Sequence, residues 1–274
     1  MSRIEEALEK AAQLRNSQTP EAPVGKSIIP PHLPPHLPPQ VAAESIQVTN
    51  QLLVMASAPD TPAAEEYRKL KSIIVKLTKG NSFRNMLMVT SSIGGEGKTV
   101  TALNLAISLA QEYDHTVLLV DAYIRKPSIG SYLGIGNKAG IAECLLDGLE
   151  LKDALIRTGI GKLSLLPAGR EVRNPAELFS SQRMKEFLLE IKNRYFDRYI
   201  IIDTPPVLPF AETRSLSTIV DGTVLVVKEG LVSLPNITET MDCLKGANML
   251  GIVYNEAATE QHSERYQYYR EGNA

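Results

Sequence analysis

Met86-Leu87-Met88-Val89-Thr90, followed by Ser91-Ser92-Ile93-Gly94-Gly95-Glu96-Gly97-Lys98-Thr99, is the stretch that decides the fold of this chain. The first five residues have the length and apolar content of a buried strand. From Val100 to Ala110, apolar residues recur at helical spacing (Leu103, Leu105, Ala106, Leu109), and no Pro or Gly interrupts them. A strand, a glycine-rich turn ending in Gly-Lys-Thr and a helix together make a P-loop. Glycines let backbone N–H groups turn inward around a phosphate, and the new helix aims its positive end at the same point. Lys98 then reaches the β- and γ-phosphates, while the Thr99 hydroxyl is placed to ligate Mg²⁺. The pattern implies a site for a nucleoside triphosphate.

Downstream, Thr116-Val117-Leu118-Leu119-Val120-Asp121 is a β-branched run ending in a carboxylate. Tyr199-Ile200-Ile201-Ile202-Asp203 is a second, stopped by Thr204-Pro205-Pro206. Leu163–Leu166, Gly222–Lys228 and Met249–Tyr254 supply further strands. Helices are expected at Ala63–Leu77, Gly140–Leu146 and about Asn236–Lys245, with a long one opened by Asn174-Pro175 and running to about Arg194. Apolar strands alternating with helices predict an α/β, doubly wound, mostly parallel sheet with helices on both faces. Ligands of such sheets sit beyond the carboxyl ends of the strands, where the P-loop, Asp121 and Asp203 all fall. Asp203 matches a Walker B aspartate, which holds Mg²⁺ directly or through water.

The totals exclude several classes. A net charge of −2 gives no general attraction to nucleic acid or anionic lipid. Cys144 and Cys243 lie far apart without metal-ligand spacing, so reduced core thiols are expected rather than a disulfide or zinc site. No apolar run approaches the roughly 20 residues that span a bilayer, and the amino terminus lacks a signal-peptide pattern. Membrane association is therefore expected through a partner, from the cytoplasmic side.

Toward the amino terminus, Ser2-Arg3-Ile4-Glu5 reads as a capping box opening a helix over residues 1–16. Ile4, Ala7, Leu8, Ala11 and Leu14 form its apolar stripe, which either packs on the chain's own domain or, the reading the linker favours, docks on another protein. Residues 17–44 are a linker containing the repeated Pro-Pro-His-Leu of Pro30–Pro39, expected to be a semi-rigid polyproline II spacer. His32 and His36 have no carboxylate or thiol beside them and are read as incidental. The folded domain is expected over 45–258. Within its first helix, Glu65, Arg68 and Lys71 fall three residues apart and share one face. At the other end, residues 259–274 hold Tyr266, Tyr268 and Tyr269 in a polar setting, three of the chain's ten tyrosines. No core is built from such a segment, so the tyrosines are read either as a terminal patch packing on the domain or as hydroxyls that serve as substrates.

P-loop, aspartate-ended strands and tyrosine-rich tail together resemble the bacterial tyrosine autokinases of capsule and exopolysaccharide assembly, over roughly Ala63 to the carboxyl terminus. Gly95-Glu96-Gly97-Lys98-Thr99 is similar to the family's Walker A, Leu118–Asp121 continuing to Arg125 and Pro127 to its second Walker motif, and Ile200–Pro206 to its Walker B. Asn174-Pro175-Ala176-Glu177-Leu178 resembles a further family stretch. The amino-terminal helix and proline linker resemble the exosortase-associated branch. The resemblance implies an ATP- and Mg²⁺-dependent kinase. Its nucleotide site would comprise Ser92, Ile93, Gly94, Gly95, Glu96, Gly97, Lys98, Thr99, Val100 and Asn255; its metal ligands Thr99, Asp121 and Asp203; and its catalytic groups Lys98, Asp121 and Asp203. Tyr266, Tyr268 and Tyr269 would accept phosphate from a neighbouring subunit of a ring-like homo-oligomer. Glu65, Arg68 and Lys71 resemble the family's Glu-x-x-Arg-x-x-Arg oligomerisation motif, with lysine losing arginine's forked geometry in the last place. A membrane adaptor on a separate chain is the implied partner.

One departure stands out. The family's second Walker motif reads Asp-x-Asp, and here it is Asp121-Ala122-Tyr123. A free phenol titrates near 10, so Tyr123 is a poor metal ligand and a poor base at neutral pH. A slow kinase relying on Asp121 and Asp203 is expected, against an ATP-binding regulator with little transfer activity. The partitioning ATPases, which share such a sheet, carry a signature lysine where Ile93 stands.

Overall fold

The computed structural model describes residues 48–80, 83–194 and 197–258. The expected amino-terminal helix, the proline linker and the tail tyrosines Tyr266, Tyr268 and Tyr269 lie outside the described residues.

Seven strands form one sheet in the order β3-β4-β2-β5-β1-β6-β7. They are β1 (Met86–Ser91), β2 (Thr116–Asp121), β3 (Ile156–Arg157), β4 (Leu163–Leu166), β5 (Arg198–Asp203), β6 (Gly222–Lys228) and β7 (Met249–Asn255). All neighbours run parallel except the short β3, which is antiparallel to β4. The central strands β1, β2 and β5 are buried on both faces, which explains their near-continuous apolar runs. Alternate residues of each feed two separate cores. Leu87, Val89, Val117, Leu119, Tyr199 and Ile201 enter one; Met86, Met88, Leu118, Val120, Ile200 and Ile202 enter the other.

The first core is covered by α1 (Val54–Ser57), α2 (Pro62–Thr78) and α3 (Lys98–Ala110). In α3 every residue except Val100 is buried, because the helix is sandwiched between the sheet and α1 with α2. Asn104 secures this packing: Oδ1 accepts the Met55 N–H at 3.1 Å and Nδ2 donates to the Leu52 carbonyl at 2.9 Å. Short helices α4 (Ile129–Tyr132), α5 (Ile141–Leu146) and α6 (Leu151–Ala154) follow β2. The second core takes side chains from α5 and α6, and from α7 (Pro175–Ser180), α8 (Gln182–Arg194), α9 (Glu212–Ser217) and α10 (Leu234–Cys243).

Two sequence expectations need correction. The helix expected from Asn174 to about Arg194 is two helices, α7 and α8, broken at Ser181. Ser181 is extended (ψ 151°); its hydroxyl donates to the Leu178 carbonyl at 2.7 Å and accepts the Met184 N–H at 3.1 Å. It closes one helix and caps the next, a local bond that competes with helix continuation. The helix expected to start near Asn236 begins at Leu234, because Ser233 caps it and Pro235 suits its first turn.

Register sets up the chemistry. Asp121 and Asp203 are direct partners across β2 and β5, and Val89 of β1 is the partner of Asp203. Both aspartates and the root of the P-loop therefore stand side by side at one end of the sheet.

Candidate functional site

The loop from Ser92 to Gly97 leaves β1 and enters α3 through two left-handed glycines, Gly95 (φ 89°) and Gly97 (φ 91°). Side chains rarely tolerate that conformation. At Gly97 a Cβ would also lie 2.1 Å from Nδ2 of Asn255, which donates to the Glu96 carbonyl at 2.9 Å. Asn255, at the end of β7, thus holds the loop from outside. From inside, the buried Glu96 accepts the Ile93 N–H at 2.7 Å, and the Ser91 hydroxyl donates to the Ile93 carbonyl at 2.6 Å. Burial pushes the Glu96 carboxyl up from its ordinary range.

Below the loop the charged groups converge. The Thr99 hydroxyl donates to Oδ2 of Asp203 at 2.7 Å, and Nζ of Lys98 donates to Oγ1 of Thr99 at 3.1 Å. Lys98 Nζ also lies 3.8 Å from Oδ1 of Asp203. Asp203 is fully buried, and burial raises its carboxyl above the usual range despite the nearby lysine. Asp121 is nearly as buried and is held by backbone. Its Oδ1 accepts the Tyr123 N–H, and its Oδ2 accepts those of Ser128 and Ile129, all at 3.2 Å. Burial first, then the neighbouring charge of Asp203, pushes Asp121 up to about 7.

Among the described residues, Oδ1 of Asp203 has no hydrogen-bond partner. A buried carboxylate oxygen without one is costly, and a hard cation resolves that cost. Thr99, Asp203 and Asp121 offer hydroxyl and carboxylate oxygens, the chemistry Mg²⁺ takes when phosphate and water complete its shell. Among the described residues no cluster of three or more His, Cys, Asp or Glu could hold a metal unaided.

Of the expected site residues, the structure brings Lys98, Thr99, Asp121 and Asp203 together with the loop, and places Asn255 against it. It does not bring Glu65, Arg68 and Lys71 there. They lie along α2, where Glu65 and Arg68 pair at 2.7 Å and Lys71 meets Glu112 at 3.1 Å.

A family model described as "AAA domain" matches residues 84–248. The chain is 32% identical over 219 residues to "Tyrosine-protein kinase YwqD" of Bacillus subtilis, covering 79% of this chain and 90% of the relative. The chain belongs to the bacterial tyrosine-protein kinases. Solved structures agree. "The kinase domain of Escherichia coli tyrosine kinase ETK" matches with a TM-score of 0.68 and 29% identity, over 76% of this chain and 82% of that one. "The chimerical protein CapA2B2" matches with a TM-score of 0.70 and 28% identity, over 76% and 91%. The P-loop α/β fold expected from the sequence is thus the fold of the family.

Sequence reasoning overlooked the residues framing the site in this family member. Glu212 on α9 is buried and takes Arg125 Nε at 2.6 Å; Phe210, just before α9, lies under the same guanidinium. No periodicity marks them. The available signal was Arg125, a charge two residues before Pro127 in a loop that already carries chemistry.

Proposed function

We propose that the chain is an ATP-dependent protein-tyrosine autokinase that phosphorylates Tyr266, Tyr268 and Tyr269 on a neighbouring copy, in the service of exopolysaccharide or capsule biosynthesis and export. One observation carries this reading: Lys98, Thr99, Asp121 and Asp203 converge at one end of the sheet, in a chain 32% identical to a named tyrosine-protein kinase. Mg²⁺ bound with ATP, held by Thr99 and the two aspartates, would neutralise charge on the phosphates. Lys98 would stabilise charge on the transferring group, which is where phosphoryl-transfer enzymes find most of their rate. The acceptor's phenol proton passes to one of the two aspartate carboxylates. Ser92 to Val100 and Asn255 would bind the nucleotide.

Residues 1–16 would dock on a partner, 17–44 would act as a spacer, 45–258 would form the kinase domain and 259–274 the acceptor tail. The proline spacer supports placement in the exosortase-associated branch. Among the described residues no helix is long and apolar enough to cross a membrane, which suits recruitment to the inner face of the plasma membrane by a separate adaptor chain. Glu65, Arg68 and Lys71 would contribute to ring assembly. Each phosphate adds about −1.5 to −2 charge, so phosphorylated tails would repel and disperse the ring.

The test is intact mass after incubation with Mg-ATP, beside Lys98→Met and a Tyr266, Tyr268, Tyr269→Phe triple variant. Adducts that vanish in both support the reading. Transfer in trans is supported if wild-type protein adds phosphate to the Lys98→Met chain when the two are mixed. A second reading is favoured by Tyr123, which stands in place of the family's second aspartate with its ring against Lys98. On that reading the chain is an ATP-binding regulator, and ATP binds without any adduct forming.

A further inference from the structure

The site end beyond Lys98 is walled by aromatic rings, which phosphate binding does not require. Lys98 Nζ lies 4.4 Å from the centroid of the Tyr123 ring. That ring lies 6.0 Å from Phe210, tilted by 58°, and the Arg125 guanidinium lies 5.1 Å from the Phe210 centroid. Arg125 is in turn held by Glu212, whose side chain is 1% exposed. Buried Glu212 anchors Arg125, Arg125 fixes the Phe210 ring, and Phe210 leans toward Tyr123. The rings are thus pre-organised, yet both stay half-buried and keep part of their surface in water. Pre-organised aromatic surface beside polar groups is what a protein uses to grip another ring, since little rotamer entropy is lost on contact.

We propose that Tyr123 and Phe210 seat the ring of the acceptor tyrosine, directing its hydroxyl toward Lys98 and Asp203. This rests on the kinase reading above. The occupant is the tail of another copy. Between residues 259 and 274 the only large apolar side chains are Tyr266, Tyr268 and Tyr269, among Glu, Gln, Arg, His, Ser, Asn, Thr, Gly and Ala. A tail of that composition has little besides its phenol rings to bury, so its recognition has to run through rings. Lys98 marks the transferring end of the nucleotide site, and Tyr123 is the aromatic side chain against it. The replacement that takes a second aspartate from the family's motif supplies, in exchange, a surface for the substrate.

The test uses the full chain with Tyr266→Ala, Tyr268→Ala and Tyr269→Ala, so that its own tail does not compete, and a synthetic peptide of residues 259–274. Phosphorylation kinetics give the peptide KM. Anisotropy of the fluorescein-labelled peptide, with Mg²⁺ and a non-hydrolysable ATP analogue, gives its Kd without any transfer. Phe210→Ala and Tyr123→Leu are expected to raise KM and Kd about fivefold to tenfold, the loss of a ring contact, while Tyr123→Phe keeps both. Affinity for the ATP analogue should stay unchanged in Phe210→Ala, which also shows that the variant is folded. A wild-type peptide that binds no better than one with leucine in place of tyrosine overturns the seat. So does a Phe210→Ala variant that loses ATP affinity as much as peptide affinity. A tyrosine preference abolished by Phe210→Ala, with no phosphate transferred, upholds the seat and overturns the kinase reading alone.

Discussion

On α2, Glu65 and Arg68 meet at 2.7 Å with each side chain 35% exposed, and Arg68 also donates to the Pro59 carbonyl. At the carboxyl ends of β2 and β5, Asp121 and Asp203 stand on adjacent strands with almost no solvent, and Lys98 lies 3.8 Å from Asp203. Both regions gather opposite charges, yet they differ in satisfaction. On α2 Glu65, Arg68 and Lys71 each have a partner, and solvent screens whatever is left over. At the strand ends two buried carboxylates stand side by side, only Asp203 has the lysine near it, and Oδ1 of Asp203 has no hydrogen-bond partner among the described residues. A fold gains no stability from such crowding, so it marks chemistry, whereas the α2 pairs mark a surface.

The largest expected effect comes from removing the lone cation of the strand-end cluster. Lys98→Met should lower tail phosphorylation about 10²-fold to 10³-fold, the usual loss when one charge-stabilising donor is removed, as read by incorporation of labelled phosphate. The next concerns Tyr123. Restoring a carboxylate with Tyr123→Asp should raise kcat about tenfold or more, since a general base contributes ~10²–10⁴ at best. The same change should raise the KM for the tail peptide, because the ring is gone. An unchanged or lower kcat would count against the slow-kinase account.

The third sharpens the contrast without any substrate. The Asp121 carboxyl ordinarily titrates at 3.8 and is pushed up to about 7 in the fold by burial and by Asp203. A raised value means that the fold binds this proton more tightly than the unfolded chain does. The stability it supplies is therefore full below 3.8 and is lost as pH rises through about 7. Asp121→Asn cannot ionise. In chelator and without nucleotide, its melting temperature should match wild type near the acid end of that window. Above pH 7 it should exceed wild type by about 4 °C or more, read by differential scanning fluorimetry. No pH-dependent gap between the two would show that the crowding is relieved by water or by movement.

The two regions were also unequally legible in the sequence. Val117–Val120 and Ile200–Ile202 are buried on both faces, so burial writes itself as an unbroken apolar run, and an aspartate at the end of each run is conspicuous. The P-loop is legible because Gly95 and Gly97 take backbone angles that other residues avoid. The break at Ser181 was not legible: one hydroxyl bonding Leu178 and Met184 outweighs the helix propensity around it, and many helices tolerate a serine. Nor were Phe210 and Glu212, whose roles come from contact with Arg125, 85 and 87 positions away in sequence and joined only by the fold. The pairing of Lys71 with Glu112 was hidden in the same way.

The smallest effect tests the surface side of the comparison. Exposed ion pairs contribute about 0–1 kcal/mol, so Arg68→Ala should change unfolding free energy by about 1 kcal/mol or less in urea titration. Lys71→Ala should do the same, since Glu112 keeps 30% of its side chain exposed and stays hydrated when its partner leaves. The side chains of Glu65, Arg68 and Lys71 already have intrachain partners but keep spare donors and acceptors, so a neighbouring copy could use them by sharing or exchanging a hydrogen bond. Such an exchange leaves stability flat and moves assembly. Light scattering of Arg68→Ala should accordingly show smaller particles than wild type at equal concentration, with the melting temperature within about 4 °C. A loss of stability well beyond that range, with assembly unaltered, would make the row a structural clasp between α2 and the start of its own loop.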